Sequence, residues 1–193
     1  MRHKILMIIG SNNATIAFTN KFINNYKPIA IIQQSGGPEG DSFVKVKDLN
    51  LKPKFTDSGK NKPEDLLDEV YDSIYLDDPG SILQYEIPKG TLNKDKELLD
   101  SISELKPDII ISHGPEKIGP AIINAAKFGG INVHWGLSPK YRGTHTTRWP
   151  LLEGKPEWIG VTIHKLDKNY DTGPILYQAK PDLKVGWTYR HIE

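Results

Sequence analysis

The sequence predicts an α/β fold in which a mostly parallel β-sheet is covered by helices on both faces. Nearly continuous apolar runs such as Lys4–Gly10 and Asp108–Ser112 are typical of central strands that are buried on both sides. The segments between such runs carry apolar residues at helical spacing, without internal repeats or low-complexity tracts. Because 193 residues suffice for one substantial core, we expect a single domain over residues 1–193.

The first half of the chain opens with a strand, a helix and a second strand. Lys4–Gly10 predicts the first strand, the apolar spacing over Ile16–Ile23 predicts the helix, and Ile29–Ile32 predicts the second strand. Gly36–Lys62 is polar, rich in Gly and aperiodic, which indicates a long surface excursion. Pro63–Leu76 begins with Pro and acidic residues and predicts a helix.

The second half continues the alternation of strands and helices. Right-handed crossovers bring the carboxyl ends of parallel strands to one edge, so the residues after Gly10, Ser112 and Ile131 should converge there. The predicted elements are a strand at Ile82–Ile87, a helix at Asn93–Leu105 with Asn93 as its cap, a strand at Asp108–Ser112, a helix at Gly119–Ala126, and strands at Ile131–Trp135, Trp158–Leu166 and Pro174–Ala179.

Composition excludes several classes of function. Lys and Arg total 25 against 24 Asp and Glu, so the net charge of +1 gives no electrostatic reason to expect a nucleic acid or a membrane surface as partner. A small-molecule partner is favoured instead. The absence of Cys excludes disulfides, thiolate metal sites and Cys nucleophiles, and the histidines lack metal-ligand spacing, so we expect no metal. The first apolar run is too short for a signal peptide, which favours a cytoplasmic location.

Asn132 and His134 are the strongest candidates for catalysis. They lie one residue apart at the end of a predicted strand, so both side chains should point to the same face. An amide can donate a hydrogen bond to a developing oxyanion while an imidazole transfers protons. Asp171 lies in the turn between the last two predicted strands and is the best candidate for orienting the imidazole. An isolated Asn-x-His more often marks polar residues that cap neighbouring backbone groups, so the spacing alone does not establish catalysis.

Other polar residues follow the ends of the first and later strands. The loop of Gly10, Ser11, Asn12 and Asn13 precedes a helix, where backbone N–H groups could bind a phosphate of the substrate, but with only one Gly the signal is weak. His113 follows a central strand at the same edge, so contact with substrate competes with ordinary solvent exposure. The remaining histidines, including His164, are interpreted as surface or strand residues.

Four short segments in a fixed order resemble the folate-dependent formyltransferases, whose members include glycinamide ribonucleotide, methionyl-tRNA and nucleotide-sugar formyltransferases. The clear similarity spans about Pro107–Gln178. The segments are Asn132-Val133-His134, Leu137–Gly143 (LSPKYRG), Gly160–His164 (GVTIH) and Asp171–Leu176 (DTGPIL).

The resemblance implies a Rossmann-like catalytic domain in which Asn132, His134 and Asp171 act on the formyl group of 10-formyltetrahydrofolate. The formyl group would pass to a primary amine, and no metal would be needed. The resemblance also implies a folate pocket formed by two loops, with the candidates Gly114, Pro115, Glu116, Lys117 and Ile118 in one and Leu166, Asp167, Lys168, Asn169 and Tyr170 in the other.

The amine acceptor is less well determined than the donor. The lack of a sizeable C-terminal extension and of a basic patch argues against methionyl-tRNA, and Trp149-Pro150 is similar to the sugar-type branch, so we expect a nucleotide-linked amino sugar. Glycinamide ribonucleotide formyltransferase, hydrolysis of 10-formyltetrahydrofolate and a non-catalytic folate-binding module stay open. Only Lys184–Glu193 follows the last predicted strand, an abbreviated C-terminus that fits either a homodimer that completes the site or a fragment.

Overall fold

The computed structural model describes residues 3–35, 44–46, 82–187 and 192. In this part of the chain the strands are β1 Ile5–Ile9, β2 Ala30–Ser35, β3 Val44–Val46, β4 Leu83–Pro88, β5 Ile109–His113, β6 Gly130–His134, β7 Val161–Lys165 and β8 Ile175–Ala179. The helices are α1 Asn13–Ile23, α2 Lys96–Leu105, α3 Pro120–Ala125 and α4 Arg148–Leu152, with a 3-10 turn at Pro156–Trp158.

The described strands form one eight-stranded sheet in the order β3-β4-β2-β1-β5-β6-β7-β8. Strands β4, β2, β1, β5 and β6 are parallel to their neighbours in that series, whereas β3, β7 and β8 pair antiparallel. The predicted α/β class with a mostly parallel sheet is confirmed. The carboxyl ends of β1, β5 and β6 therefore meet at one edge, as the sequence predicted.

Alternating side chains of the central strands fill two cores on opposite faces of the sheet. From β1, Leu6 and Ile8 enter the core on the side of α2 and α3, whereas Met7 and Ile9 enter the core on the side of α1. All four are fully buried, and each such side chain contributes about 1.5–3 kcal/mol relative to an exposed one. Because both faces of β1 are buried, its sequence does not alternate between polar and apolar residues.

Helix α2 begins later than the sequence predicted, because another residue caps it. The side chain of Asp95 accepts a hydrogen bond from Leu98 N at 3.0 Å, so the helix begins at Lys96 and the prediction that Asn93 caps it is wrong. Asn93 donates instead to the carbonyl of Lys117 and accepts from Gly119 N. It thereby fixes the loop that leads into α3.

Two further boundaries differ from the prediction. Pro156–Trp158 forms a 3-10 turn, so β7 begins at Val161 rather than at Trp158. The five-residue helix α4 was not predicted, because Pro150 lies inside it and the segment is too short to show a helical period.

Part of the predicted central excursion is ordered as a strand. Val44–Val46 pairs with β4, while the rest of residues 36–62 and the helix predicted over residues 63–76 lie outside the described residues. Half of the predicted abbreviated C-terminus, residues 188–191 and 193, lies outside them as well. Among the described helices, none combines the length and the apolar character needed to cross a membrane.

Candidate active site

A cavity of about 640 Å³ opens at the carboxyl edge of the sheet. Its volume lies within the range of small-molecule sites. Much of its wall is formed by residues 112–118 at the end of β5 and beyond it, 132–135 at the end of β6 and 142–147 in the following loop. Asn12 and Thr15 at the start of α1 close one side, and the loop between β7 and β8 closes the other. The cavity thus lies where the alternation of strands and helices predicted a ligand site.

Asn132, His134 and Asp171 come together in this cavity. The amide nitrogen Nδ2 of Asn132 donates to Oδ1 of Asp171 at 3.2 Å, and Nδ1 of His134 lies 3.4 Å from Oδ2 of the same carboxylate. Asn132 and His134 occupy alternate positions of β6, so the strand itself places both side chains on one face. The structure brings the predicted trio together, and its catalytic role stays a prediction.

The backbone holds the carboxylate of Asp171 in place. Asp171 adopts a left-handed conformation with φ of 50°, which turns its side chain back over the sheet edge. Gly143 N donates to Oδ2 at 2.8 Å. The loop that contains LSPKYRG therefore positions the acid, which explains part of the motif.

Tyr141 orients the imidazole of His134. Nε2 of His134 lies 2.8 Å from the carbonyl oxygen of Tyr141 and must carry a proton, because a carbonyl can only accept. The Tyr141 hydroxyl in turn donates to Glu153 at 2.8 Å, and its removal from solvent together with this bond raises the pKa of Tyr141 to about 12. The other ring nitrogen, Nδ1, therefore faces the carboxylate and the reacting groups.

His164 is a member of the cluster that the sequence analysis missed. It lies in strand β7, as one of the two interpretations had it, but it is 2% exposed and therefore not a surface residue. In the β6–β7 pairing His164 is the direct partner of Asn132, and its Nε2 lies 3.2 Å from both Asp171 Oδ1 and Asn132 Nδ2. The register of this antiparallel pair was not readable from sequence. The buried alternation of Thr162 and His164 within GVTIH was the one available signal.

His164 and Asp171 stabilise each other's charged form. Burial lowers the pKa of His164, but the hydrogen bonds to Asp171 and to the Lys165 carbonyl outweigh it, so the pKa lies above the ordinary value. Burial raises the pKa of Asp171, and the bonds from His164 and Gly143 together with the nearby imidazoles bring it below the ordinary value. We infer an ionised carboxylate at neutral pH.

Asn132 can also serve a ligand. Its Nδ2, Asp171 Oδ1 and His164 Nε2 form a nearly equilateral triangle with sides of 3.2 Å. In the charged pair His164 Nε2 donates to Asp171 Oδ1 and cannot accept from Asn132, so Asn132 uses one N–H, the one that points to Oδ1. The second N–H is left to donate to an oxygen in the cavity, which is the geometry of an oxyanion hole.

Both predicted folate loops line the cavity, with two qualifications. All of Gly114–Ile118 contribute, and the second loop contributes Leu166, Asp167, Asn169 and Tyr170 but not Lys168. The carboxylate of Glu116 accepts hydrogen bonds from Gly90 N and Leu92 N. Its main role is therefore to fix the neighbouring turn, not to bind a ligand. Lys117 Nζ lies 5.5 Å from the ring centre of Tyr170 and joins the two loops.

The candidates in the loop after β1, residues 10–13, differ in whether they line the cavity. Asn12 lines the cavity and its Oδ1 accepts from Thr15 N at 2.8 Å, which caps α1. Gly10 and Ser11 do not line it, and the side chain of Asn13 lies outside the described residues. A Cβ at Gly10 would collide with the carbonyl oxygen of Gly114, so close approach of two loops explains this glycine.

His113 lines the cavity and is 3% exposed, so ordinary solvent exposure is not its role. Its pKa is lowered to about 4 by burial. Within the described residues, no group of three or more His, Asp or Glu side chains is arranged to hold a metal ion.

Comparison with known proteins gives consistent matches. The family model described as formyl transferase matches residues 11–193. The chain is 39% identical over 93 residues to methionyl-tRNA formyltransferase of Synechococcus sp. (strain JA-3-3Ab), covering 47% of this chain and 28% of that protein. It is 37% identical over 86 residues to GDP-perosamine N-formyltransferase of Brucella melitensis biotype 1, covering 44% and 33%. The chain thus spans about a third or less of these two relatives.

A solved structure shares the fold over nearly the whole chain. The crystal structure of phosphoribosylglycinamide formyltransferase from Bacillus halodurans matches with a TM-score of 0.60 and 18% identity, over 98% of this chain and 85% of that one. At this identity the match supports the Rossmann-like architecture.

Proposed function

Because the chain belongs to the formyl transferase family, we propose that it transfers a formyl group from 10-formyltetrahydrofolate to the primary amine of a small acceptor. The observation that carries this proposal is the cluster of Asn132, His134, Asp171 and His164 in the wall of a cavity large enough for a small-molecule site. The second amide N–H of Asn132, the imidazole of His134 and the ionised carboxylate of Asp171 supply the groups that acyl transfer requires.

The residues that line the cavity suggest a donor on one side of the cluster and an acceptor on the other. Ile118 is buried and Leu166 partly buried, and both offer apolar wall, while the surrounding loop backbone offers N–H and C=O groups. A mostly apolar wall with a few oriented polar groups suits a flat, hydrogen-bonding ring such as a pterin. The side at the start of α1, with Asn12 and His113, is left for the acceptor.

The residues suggest a division of work in the transfer. The acceptor nitrogen attacks the formyl carbon, the carbon–nitrogen bond to the folate breaks, the amine loses a proton and the folate nitrogen gains one. Asn132 donates its second N–H to the formyl oxygen as negative charge develops there. His134, fixed by the Tyr141 carbonyl, presents Nδ1 for the proton transfer, and Asp171 stabilises its protonated form.

For the acceptor we propose a nucleotide-linked amino sugar. The chain is similar over 86 residues to GDP-perosamine N-formyltransferase, and Trp149-Pro150 resembles the sugar-type branch of the family. Methionyl-tRNA and phosphoribosylglycinamide formyltransferases also match the chain, so the acceptor has to be established by direct assay.

The test is release of tetrahydrofolate from 10-formyltetrahydrofolate, followed by absorbance, with GDP-perosamine, with glycinamide ribonucleotide and without amine. Release that requires GDP-perosamine would support the proposal, and release that requires glycinamide ribonucleotide would keep the reaction but change the acceptor. Release that no amine accelerates would replace transfer with hydrolysis. Folate binding without any release would indicate a binding module.

A further inference from the structure

His113 packs against two aromatic rings at the wall of the cavity. Its ring centre lies 4.9 Å from that of Phe18 on α1 and 5.0 Å from that of Trp135, both in tilted arrangements. The main-chain carbonyl of Trp135 accepts a hydrogen bond from the Thr146 hydroxyl, which fixes the backbone that carries the indole. Contacts with two aromatic rings therefore restrict the movement of the imidazole in the cavity wall.

The alternation of side chains places His113 opposite the proposed folate loops. Ile111 and Ile131 pack in the core on the side of α1, and His113 lies two residues beyond Ile111, on the same face. Asn132 occupies the opposite face of the neighbouring strand. The cluster around Asp171 therefore has the folate loops on one side and the aromatic clamp of Phe18, His113 and Trp135 on the other.

The hydrogen-bonding capacity of His113 is not used by the protein. Its Nδ1 is closed off from solvent and has no partner within the described residues. A buried N–H without an acceptor is costly, so the neutral ring carries its proton on Nε2, at the other edge. Asn12 lies nearby in the cavity wall, and because its Oδ1 caps α1, its NH₂ group is left for a ligand.

This side of the cavity is polar and aromatic without being charged. Asn12, Thr15 and Trp135 carry no charge, and with a pKa of about 4 His113 is neutral at physiological pH. Uncharged donors next to an aromatic face match a hydroxylated sugar ring, whose oxygens accept hydrogen bonds and whose C–H face packs on an indole.

We propose that His113 recognises the acceptor by donating its Nε2–H to a hydroxyl or ring oxygen of the sugar that carries the reacting amine. Trp135 supplies the apolar surface for the same ring. The inference rests on the proposed formyl transfer and names the residue that selects its acceptor. His113 is thus a specificity residue for the sugar and takes no part in the proton transfers at His134.

The test compares three variants with GDP-perosamine as the acceptor. His113→Phe keeps the aromatic clamp and removes the donor, whereas His113→Gln places an amide N–H near the position of Nε2. His3→Phe is the matched control, because His3 has a 73% exposed side chain before β1, at the opposite edge of the sheet. We measure KM for GDP-perosamine, KM for 10-formyltetrahydrofolate, kcat, and Kd for GDP-perosamine by calorimetry without the donor.

We expect His113→Phe to raise KM and Kd for GDP-perosamine roughly ten-fold to a hundred-fold, the usual effect of leaving a buried polar group unpaired. KM for the donor should stay unchanged, His113→Gln should recover most of the loss, and the control should match wild type. An unchanged acceptor KM in His113→Phe, or an equal rise for donor and acceptor, would overturn the inference.

The same measurements separate this inference from the proposed reaction. If wild type binds GDP-perosamine in a His113-dependent way but does not formylate it, the reaction is wrong and the recognition stands. If it formylates GDP-perosamine and His113→Phe does so equally well, the reaction stands and the recognition is wrong. If wild type does not bind GDP-perosamine at all, the recognition of an amino sugar by His113 is overturned.

Discussion

Asp171→Asn is the sharpest perturbation that the cluster offers. Asn has nearly the same shape as Asp and tolerates the left-handed backbone that residue 171 adopts with φ of 50°. The amide oxygen can still accept from Gly143 N, which fixes the loop at 2.8 Å. The change therefore removes the negative charge and leaves the backbone as it is.

The expected loss follows from what the carboxylate contacts. In wild type, His164 Nε2 and Asn132 Nδ2 each lie 3.2 Å from Asp171 Oδ1. In the variant an NH₂ group takes the place of Oδ1, so two donors face each other at Asn132. The second oxygen no longer stabilises a proton on His134 Nδ1, 3.4 Å away. Losing a positioned partner in acid–base catalysis costs about 10²–10⁴ in kcat, and losing hydrogen bonds to a charged group costs about 1.5–3 kcal/mol of stability.

The assay is steady-state release of tetrahydrofolate, combined with urea denaturation followed by circular dichroism. Asp100→Asn, at an exposed position of α2, is the matched control and should behave as wild type. Donor binding, measured by thermal shift, should persist in Asp171→Asn. A folded variant that keeps the wild-type kcat would refute the assigned role of Asp171.

Three further predictions follow from the same region. Thermal stability of wild type should fall as pH rises through the ordinary imidazole pKa and beyond. The raised pKa of His164 gives a contribution that is full below the ordinary imidazole pKa and is lost above the raised one. His164→Gln should flatten this slope, and an equal slope in both proteins would show that the His164–Asp171 pair is not its cause. Asn132→Ala should lower kcat about 10²–10³-fold with little change in donor KM, and an unchanged kcat in the same assay would contradict its oxyanion role. Gly10→Ala should lower the free energy of unfolding by about 1–3 kcal/mol in urea titrations, because the new Cβ would collide with the Gly114 carbonyl; a wild-type midpoint would show that the two loops separate easily.

The strands buried on both faces were the most predictable part of the fold. Runs such as Ile109–Ile111 show no alternation of polar and apolar residues. Their local composition is therefore enough to predict a strand inside a parallel sheet. Boundaries set by a single hydrogen bond were less predictable. Both Asn93 and Asp95 can cap a helix, and the choice of Asp95 depends on the loop near Gly119, which occupies Asn93.

The candidate site likewise has features that the sequence predicted and features that depend on the pairing of strands. That Asn132 and His134 share a face follows from the period of a strand, and the DTGPIL and LSPKYRG segments supplied the acid and its support. The pairing of Asn132 with His164 depends on the antiparallel register of β6 and β7, which local sequence does not encode strongly. The sequence therefore did not predict that His164 belongs to the site.

By itself the sequence predicted seven of the eight described strands, the edge of the sheet where the cavity lies, and three side chains that meet there, because these follow from periodicity, burial and local motif. Only the tertiary structure decided what surrounds them: the Tyr141 carbonyl on His134, the His164–Asp171 pair, and the clamp of Phe18 and Trp135 on His113. Each of these contacts joins residues from separate loops or strands. Their geometry depends on register and loop closure, which emerge only when the whole chain packs.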